Sequence, residues 1–79
     1  MANHQPSAST HLFQDSAEQL AVRLEQERTD AARALAGEAR ELAAQFSTWQ
    51  TERPADDIRV ATIQRLFDLN RRAMDYLAG

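Results

Sequence analysis

The chain is predicted to be all-α: a long helical hairpin of two antiparallel helices, the first much longer than the second. Three observations carry this. Of the two glycines and two prolines among the 79 residues, only Gly37 interrupts residues 10–50 or 55–78. Alanine is abundant while β-branched and aromatic residues are sparse, a composition of helices rather than sheets. Apolar residues recur at a helical period in both stretches.

Residues 1–9 are polar, small and proline-containing, and are read as a disordered N-terminal tail. Residues 10–79 then form a single helical domain. An advance of about 100° per residue places Phe13, Ala17, Leu20, Leu24, Ala31, Leu35, Ala39, Leu42, Phe46 and Trp49 on one side, with no shift of phase from end to end. A loop between two helices normally resets that phase. One helix over about residues 10–50, of roughly 35–40 residues and about 55 Å, is the simplest reading. The alternative breaks this helix near Thr29-Asp30, where Thr29 could cap a new helix, and gives a monomeric three-helix bundle. The unbroken phase and the lack of glycine or proline between residues 7 and 36 favour the long helix.

The turn is read at residues 51–54. Arg53 precedes a proline and is biased away from helical geometry. Pro54 suits the first position of a helix, and Asp56 and Asp57 complement the positive end of its dipole. The second helix, about residues 55–77, has an unusually wide apolar arc. Ile58, Leu66, Leu69, Ala73 and Tyr76 define one edge; Ile63, Phe67, Met74 and Leu77 define the other. An arc this wide fits contact with two neighbours rather than one. Asn70 falls near its centre. A polar residue there either fixes register and oligomeric state or is satisfied by a backbone carbonyl or a water.

A hairpin with arms this unequal sets Ala78 opposite about residue 27, because both helices rise equally per residue. Phe13, Leu20 and Leu24 are then left bare, each worth roughly 1.5–3 kcal/mol when buried. Two copies covering each other's arms would form a four-helix bundle with coiled-coil packing; a heterologous helical partner would serve equally. The residues expected to carry assembly are Phe13, Leu20, Leu24, Leu35, Leu42, Phe46, Trp49, Ile63, Leu66, Phe67, Asn70, Met74 and Leu77.

Charge and chemistry narrow the function. The net charge is −3, and residues 1–30 hold two arginines against five carboxylates. Such a chain repels phosphate backbones and anionic lipid, so neither nucleic acid nor membrane is an expected partner. The nine basic residues are all arginine, a codon-usage trait that fits a bacterial source. The first ten residues lack the basic and apolar regions of a secretory signal, which makes a cytoplasmic location the expectation. There is no cysteine. His4 and His11 have no accompanying ligands, and Glu38 and Glu41 lack the Glu-x-x-His spacing of di-iron bundles. Ser9, Thr10, His11 and Asp15 contain the atoms of a hydrolytic triad but are sequence neighbours with no pocket to hold them. Asp56-Asp57 is explained by helix-start chemistry. No catalysis, cofactor or metal is expected.

Trp49 lies beside the turn, where it either anchors an interface or plugs the end of a bundle. A small helical hairpin with a tryptophan at that place resembles the WXG100 secretion substrates in outline. The residues here are Trp49-Gln50-Thr51, without that family's glycine, and the tail from Met74 to Gly79 lacks its export motif. Small hairpin co-chaperones of type III secretion needles are similar in outline too. The leading expectation is a non-catalytic protein–protein interaction module, an adaptor, inhibitor or small chaperone acting through apolar helix faces. The alternative is a small accessory or structural subunit of a larger enzyme or secretion assembly.

Overall fold

The chain reverses direction twice, and the first reversal falls inside the stretch read as one helix. A computed structural model describes residues 6–79, with side chains from residue 11 onward; it contains α1 (Pro6–Glu25), α2 (Asp30–Thr48) and α3 (Asp56–Ala78). The three pack on one another as a three-helix bundle. Its longest dimension is 46 Å, shorter than the single helix the sequence predicts. Helix α1 begins at Pro6, within the segment read as a tail, and residues 1–5 lie outside the described residues.

The long hairpin is therefore overturned, and with it the four-helix bundle and the coiled-coil packing. The reason is geometric. The connection spans residues 26–29, and four residues are close to one helical turn of 3.6. The apolar phase is carried through the loop almost unchanged while the chain direction reverses. Nor does the turn use glycine. Arg28 takes the left-handed conformation itself, with φ 58°. Before it, the Gln26 and Glu27 amides donate to the Arg23 and Leu24 carbonyls at 3.3 and 3.0 Å, closing the end of α1.

Thr29 starts α2 in the manner the alternative reading assigned to it. Its backbone is extended, with φ −112° and ψ 160°, and its Oγ1 accepts from the Ala32 amide at 3.1 Å. The same hydroxyl is hydrogen-bonded to the Tyr76 hydroxyl, which ties this loop to the end of α3. Thr29→Ala is expected to lower stability by about 1–2 kcal/mol, read as a lower urea midpoint with an unchanged slope, whereas Thr29→Ser keeps most of it.

Helices α1 and α2 meet through small residues. Ala17 and Ala21 face a partner helix that buries Ala32, Ala36, Ala39 and Ala43. Small side chains let two helices approach closely, and α1 contacts α2 along far more of its length than it contacts α3. Leu20, Leu24, Leu42, Phe46, Leu66 and Leu69 complete the core. At one end Phe13 stacks on Phe46 at 5.4 Å, and Phe46 meets Trp49 edge-on at 4.9 Å. Phe13, Leu20 and Leu24, bare in the hairpin, are covered here because α1 folds back on α2. That covering removes the reason for a second copy to complete the core.

The second reversal lies at residues 49–55. The Glu52 amide donates to the Thr48 carbonyl at 2.9 Å and ends α2. Ala55 stays extended after Pro54, so α3 starts at Asp56 rather than at the proline. Its wide arc meets both α1 and α2.

Candidate interaction surface

Helix α3 is held against the bundle by Leu66, Leu69 and Ala73, all buried, and by buried Thr62, which donates to the Ile58 carbonyl at 2.8 Å and accepts from Gln45 at 3.4 Å. The outer edge of its apolar arc remains uncovered. At an advance of 100° per residue, Val60, Ile63, Phe67, Asn70, Met74 and Leu77 form one continuous strip with steps of three and four residues. Phe67 is 62% exposed, Met74 46% and Val60 50%. Ile63 and Leu77 are half-buried against the core, and Asn70 is exposed.

The facing wall comes from α1. Because that helix turns its alanines toward α2, its adjacent side, with Leu12, Ser16, Gln19 and Arg23, stands over α3. Leu12 is 68% exposed. Between the two helices runs a groove of about 440 Å³, with the buried Leu20 and Leu66 in its lining and Leu12, Phe13, Phe67 and Met74 along it. Polar groups are sparse and varied: the Ser16 hydroxyl, the Gln19 and Asn70 amides and the Arg23 guanidinium. Arg23 is paired with Glu27 at 3.0 Å.

The cross-helix ion pairs lie elsewhere. Arg40 of α2 donates twice to the Glu25 carboxylate, at 2.9 and 2.8 Å, and pins the end of α1. That bidentate contact holds the Glu25 carboxyl below its ordinary pKa and raises the Arg40 guanidinium. Arg72 of α3 reaches Glu38 of α2 at 2.9 Å and Asp68 at 3.0 Å, and the Glu38 contact is the main reason its own pKa is raised. Asp68 is lowered, first by its hydrogen bond from Arg71 and then by Arg72. These pairs are exposed and each is worth little on its own. They charge the sides of α2, whereas among the described residues the groove between α1 and α3 has Arg23 as its one charged lining residue.

The residues expected to carry assembly separate into two sets. Leu20, Leu24, Leu42, Phe46 and Leu66 are buried in the core, and Phe13, Leu35, Trp49, Ile63 and Leu77 pack partly buried against it. Phe67, Asn70 and Met74 line the groove, which also touches Phe13, Leu20 and Leu66. Trp49 caps the C-terminal end of α2 and sits against Phe46, as an end plug does. The sequence reading missed Leu12. It lies off the apolar phase of α1, and the residues that share its side are Ser16, Gln19 and Arg23, so no stripe announces it.

The Asp56-Asp57 pair serves the start of α3. Asp57 accepts from the Ile58 amide at 2.9 Å, and Asp56 pairs with Arg59 at 3.1 Å. His11 is exposed on α1; His4 lies outside the described residues. Among the described residues no group of three or more His, Cys, Asp or Glu is placed to hold a metal ion, and no helix is long and apolar enough to cross a membrane. Every buried side-chain nitrogen or oxygen among them has a hydrogen-bond partner. No protein-family model matches the chain, and no curated protein or solved structure matches it either.

Proposed function

We propose that this chain is a non-catalytic protein-interaction module that seats an amphipathic helix in the groove between α1 and α3. The observation that carries the reading is the groove itself, in which Leu12 and Phe67 stand 68% and 62% exposed above the buried Leu20 and Leu66. Single exposed apolar side chains are ordinary on protein surfaces, and Val22 is one of these. A continuous apolar trough with a polar rim is different, because it offers what a helix in a groove requires: an apolar floor for anchors at i, i+3 or i+4 and i+7, and rim groups that orient it. Phenylalanine, methionine and arginine are enriched at interfaces of this kind.

The test is a titration of the dilute chain with a leucine–lysine amphipathic peptide at physiological salt, followed by amide chemical shifts. Shifts should concentrate at Leu12, Gln19, Phe67, Asn70 and Met74 and spare the ion-paired side of α2. Phe67→Asp should weaken binding at least tenfold while changing stability by less than about 0.5 kcal/mol, since this side chain is already largely in water. Shifts spread over the whole surface, or undiminished binding by the variant, would contradict the reading.

Ile58 and Val60, each about half exposed at the start of α3, extend apolar surface beyond the groove. They favour a second reading, a small accessory or structural subunit contacted on more than one side within a larger enzyme or secretion assembly. A partner whose binding buries Ile58 as well as Phe67 would select it.

A further inference from the structure

The three helices are not held equally. Helices α1 and α2 are joined along their length by their alanines, and both ends of that contact are tied without help from α3. At one end Phe13 stacks on Phe46 and Gln50 donates to Gln14. At the other, Arg40 grips Glu25 beside the short turn that joins the two helices.

Helix α3 meets each of the others over a far shorter length. Of its 23 residues only Thr62, Leu66, Leu69 and Ala73 are buried, and every residue from Asp56 to Ala61 is exposed. Its polar ties are the Gln45–Thr62 contact at 3.4 Å, the exposed Arg72–Glu38 pair and the Tyr76–Thr29 hydroxyl contact. Ala55, at its N-cap, has no side chain to bond the first free amides.

We infer that α3 is a detachable wall of the groove: the bundle opens by releasing α3 as a unit while the α1–α2 hairpin stays folded. A segment with few buried contacts opens at a lower free energy than the whole domain. Release takes Leu66, Leu69 and Ala73 out of the core but breaks none of the alanine, aromatic or Glu25–Arg40 contacts between α1 and α2. The groove exists in the closed form alone, because Leu66, Phe67, Asn70 and Met74 leave with α3 while Leu12, Ser16, Gln19 and Arg23 stay with α1. Resting on the reading of the groove as an interaction surface, an occupant that touches both walls binds only the closed bundle and holds α3 in place. Release of α3 then sets the fraction of chains competent to bind.

The experiment is native-state hydrogen exchange of the full chain, read amide by amide from zero to sub-denaturing urea, beside Gly37→Ala. Gly37 lies exposed in α2 with nothing within 4 Å of where a Cβ would stand, so alanine stabilises that helix without a clash. The amides of Leu66, Leu69 and Asn70 should be protected less than those of Ala21, Ala39 and Leu42, by roughly tenfold or more. Their protection should also fall with urea at a shallower slope, because release exposes less surface than global unfolding. Gly37→Ala should raise protection in α1 and α2 about fivefold and leave α3 unchanged, since α2 is equally helical in the closed and opened forms. One protection level and one slope across all three helices would overturn the inference, as would a Gly37→Ala gain shared by α3. The amphipathic peptide, at about ten times its Kd, should raise α3 protection about tenfold. Binding that leaves α3 protection unchanged would overturn its control of the groove. The opening is measured without a ligand, so the two readings fail separately: a chain whose α3 opens but that binds no peptide keeps the detachable helix and loses the interaction module.

Discussion

Aspartate at both Leu20 and Leu24 is expected to unfold the chain completely. Leu24 has no exposed surface and Leu20 has 6%, in the part of α1 that folds back over α2. Each substitution removes a side chain worth roughly 1.5–3 kcal/mol of burial and adds a carboxylate with no partner, which costs several kcal/mol more. A domain of this size has a total stability of about 4–12 kcal/mol, so the pair exceeds what it can lose. The measurement is far-ultraviolet circular dichroism of the purified variant, and the expected result is loss of the helical signal over the whole chain. In a long hairpin the same two residues would sit on a bare arm. Their replacement would then abolish assembly and leave residues 35–77 helical, which is the outcome that would contradict the bundle.

Phe46→Ala is expected to cost about 3–5 kcal/mol, the range for removing a buried aromatic ring. Phe46 is fully buried, stacked on Phe13 and edge-on to Trp49. These three aromatic residues lie where α1, the end of α2 and the second reversal come together, and the rings of Phe13 and Trp49 are too rigid to fill the space left by a third. The cavity therefore stays open and most of the transfer and cavity terms are felt. The midpoint of urea unfolding should fall by more than half, and Trp49 fluorescence should shift toward that of exposed indole even in the folded baseline. Phe46→Leu, which refills much of the volume, should recover a large part of the loss. A drop of less than 1 kcal/mol would mean that the aromatic end is not packed as described.

Much of the fold is legible in the sequence, and the part that is not has a definite cause. Helical content, the reversal before Asp56 and the breadth of the apolar arc on α3 follow from composition, one proline and a hydrophobic period. The turn at Gln26–Thr29 is hidden for two reasons. Its four residues amount to nearly one helical turn, so a test of phase cannot register it. Arg28 enters the left-handed region that glycine usually occupies, so a search for breakers passes over it as well. What remained visible was Thr29 followed by Asp30, a capping residue and an acidic first turn, and that local signal outweighs the continuous stripe. The alanines of α1 and α2 also have a different use from the one periodicity implies. They do not form one face of a long rod; they let two short helices approach closely, which leaves the bulkier α3 at a distance from α1 and opens the groove.

The groove between α1 and α3 is legible in the sequence on one wall only. Phe67, Asn70 and Met74 stand out because α3 has more apolar surface than one neighbour can cover. Leu12 does not, because exposure in a groove depends on how three helices sit together, and a single-helix projection contains no such information. Asn70 stands on the strip that faces the groove, exposed rather than satisfied inside the core.

Everything said of the groove depends on α1 lying beside α3, and hence on the first reversal. Gln50 donates to Gln14 at 2.7 Å although 36 residues separate them, so Asp15 and Gln50, both exposed, are neighbours across the end of the bundle. In one continuous helix they would stand about 50 Å apart. Spin labels on Asp15→Cys and Gln50→Cys, in a chain with no other thiol, report this distance directly by pulsed dipolar spectroscopy. The three-helix bundle predicts a single short distance of roughly 10–20 Å, set by the spacing of packed helices and the label arms. A distance near 50 Å would contradict the fold and remove the groove with it.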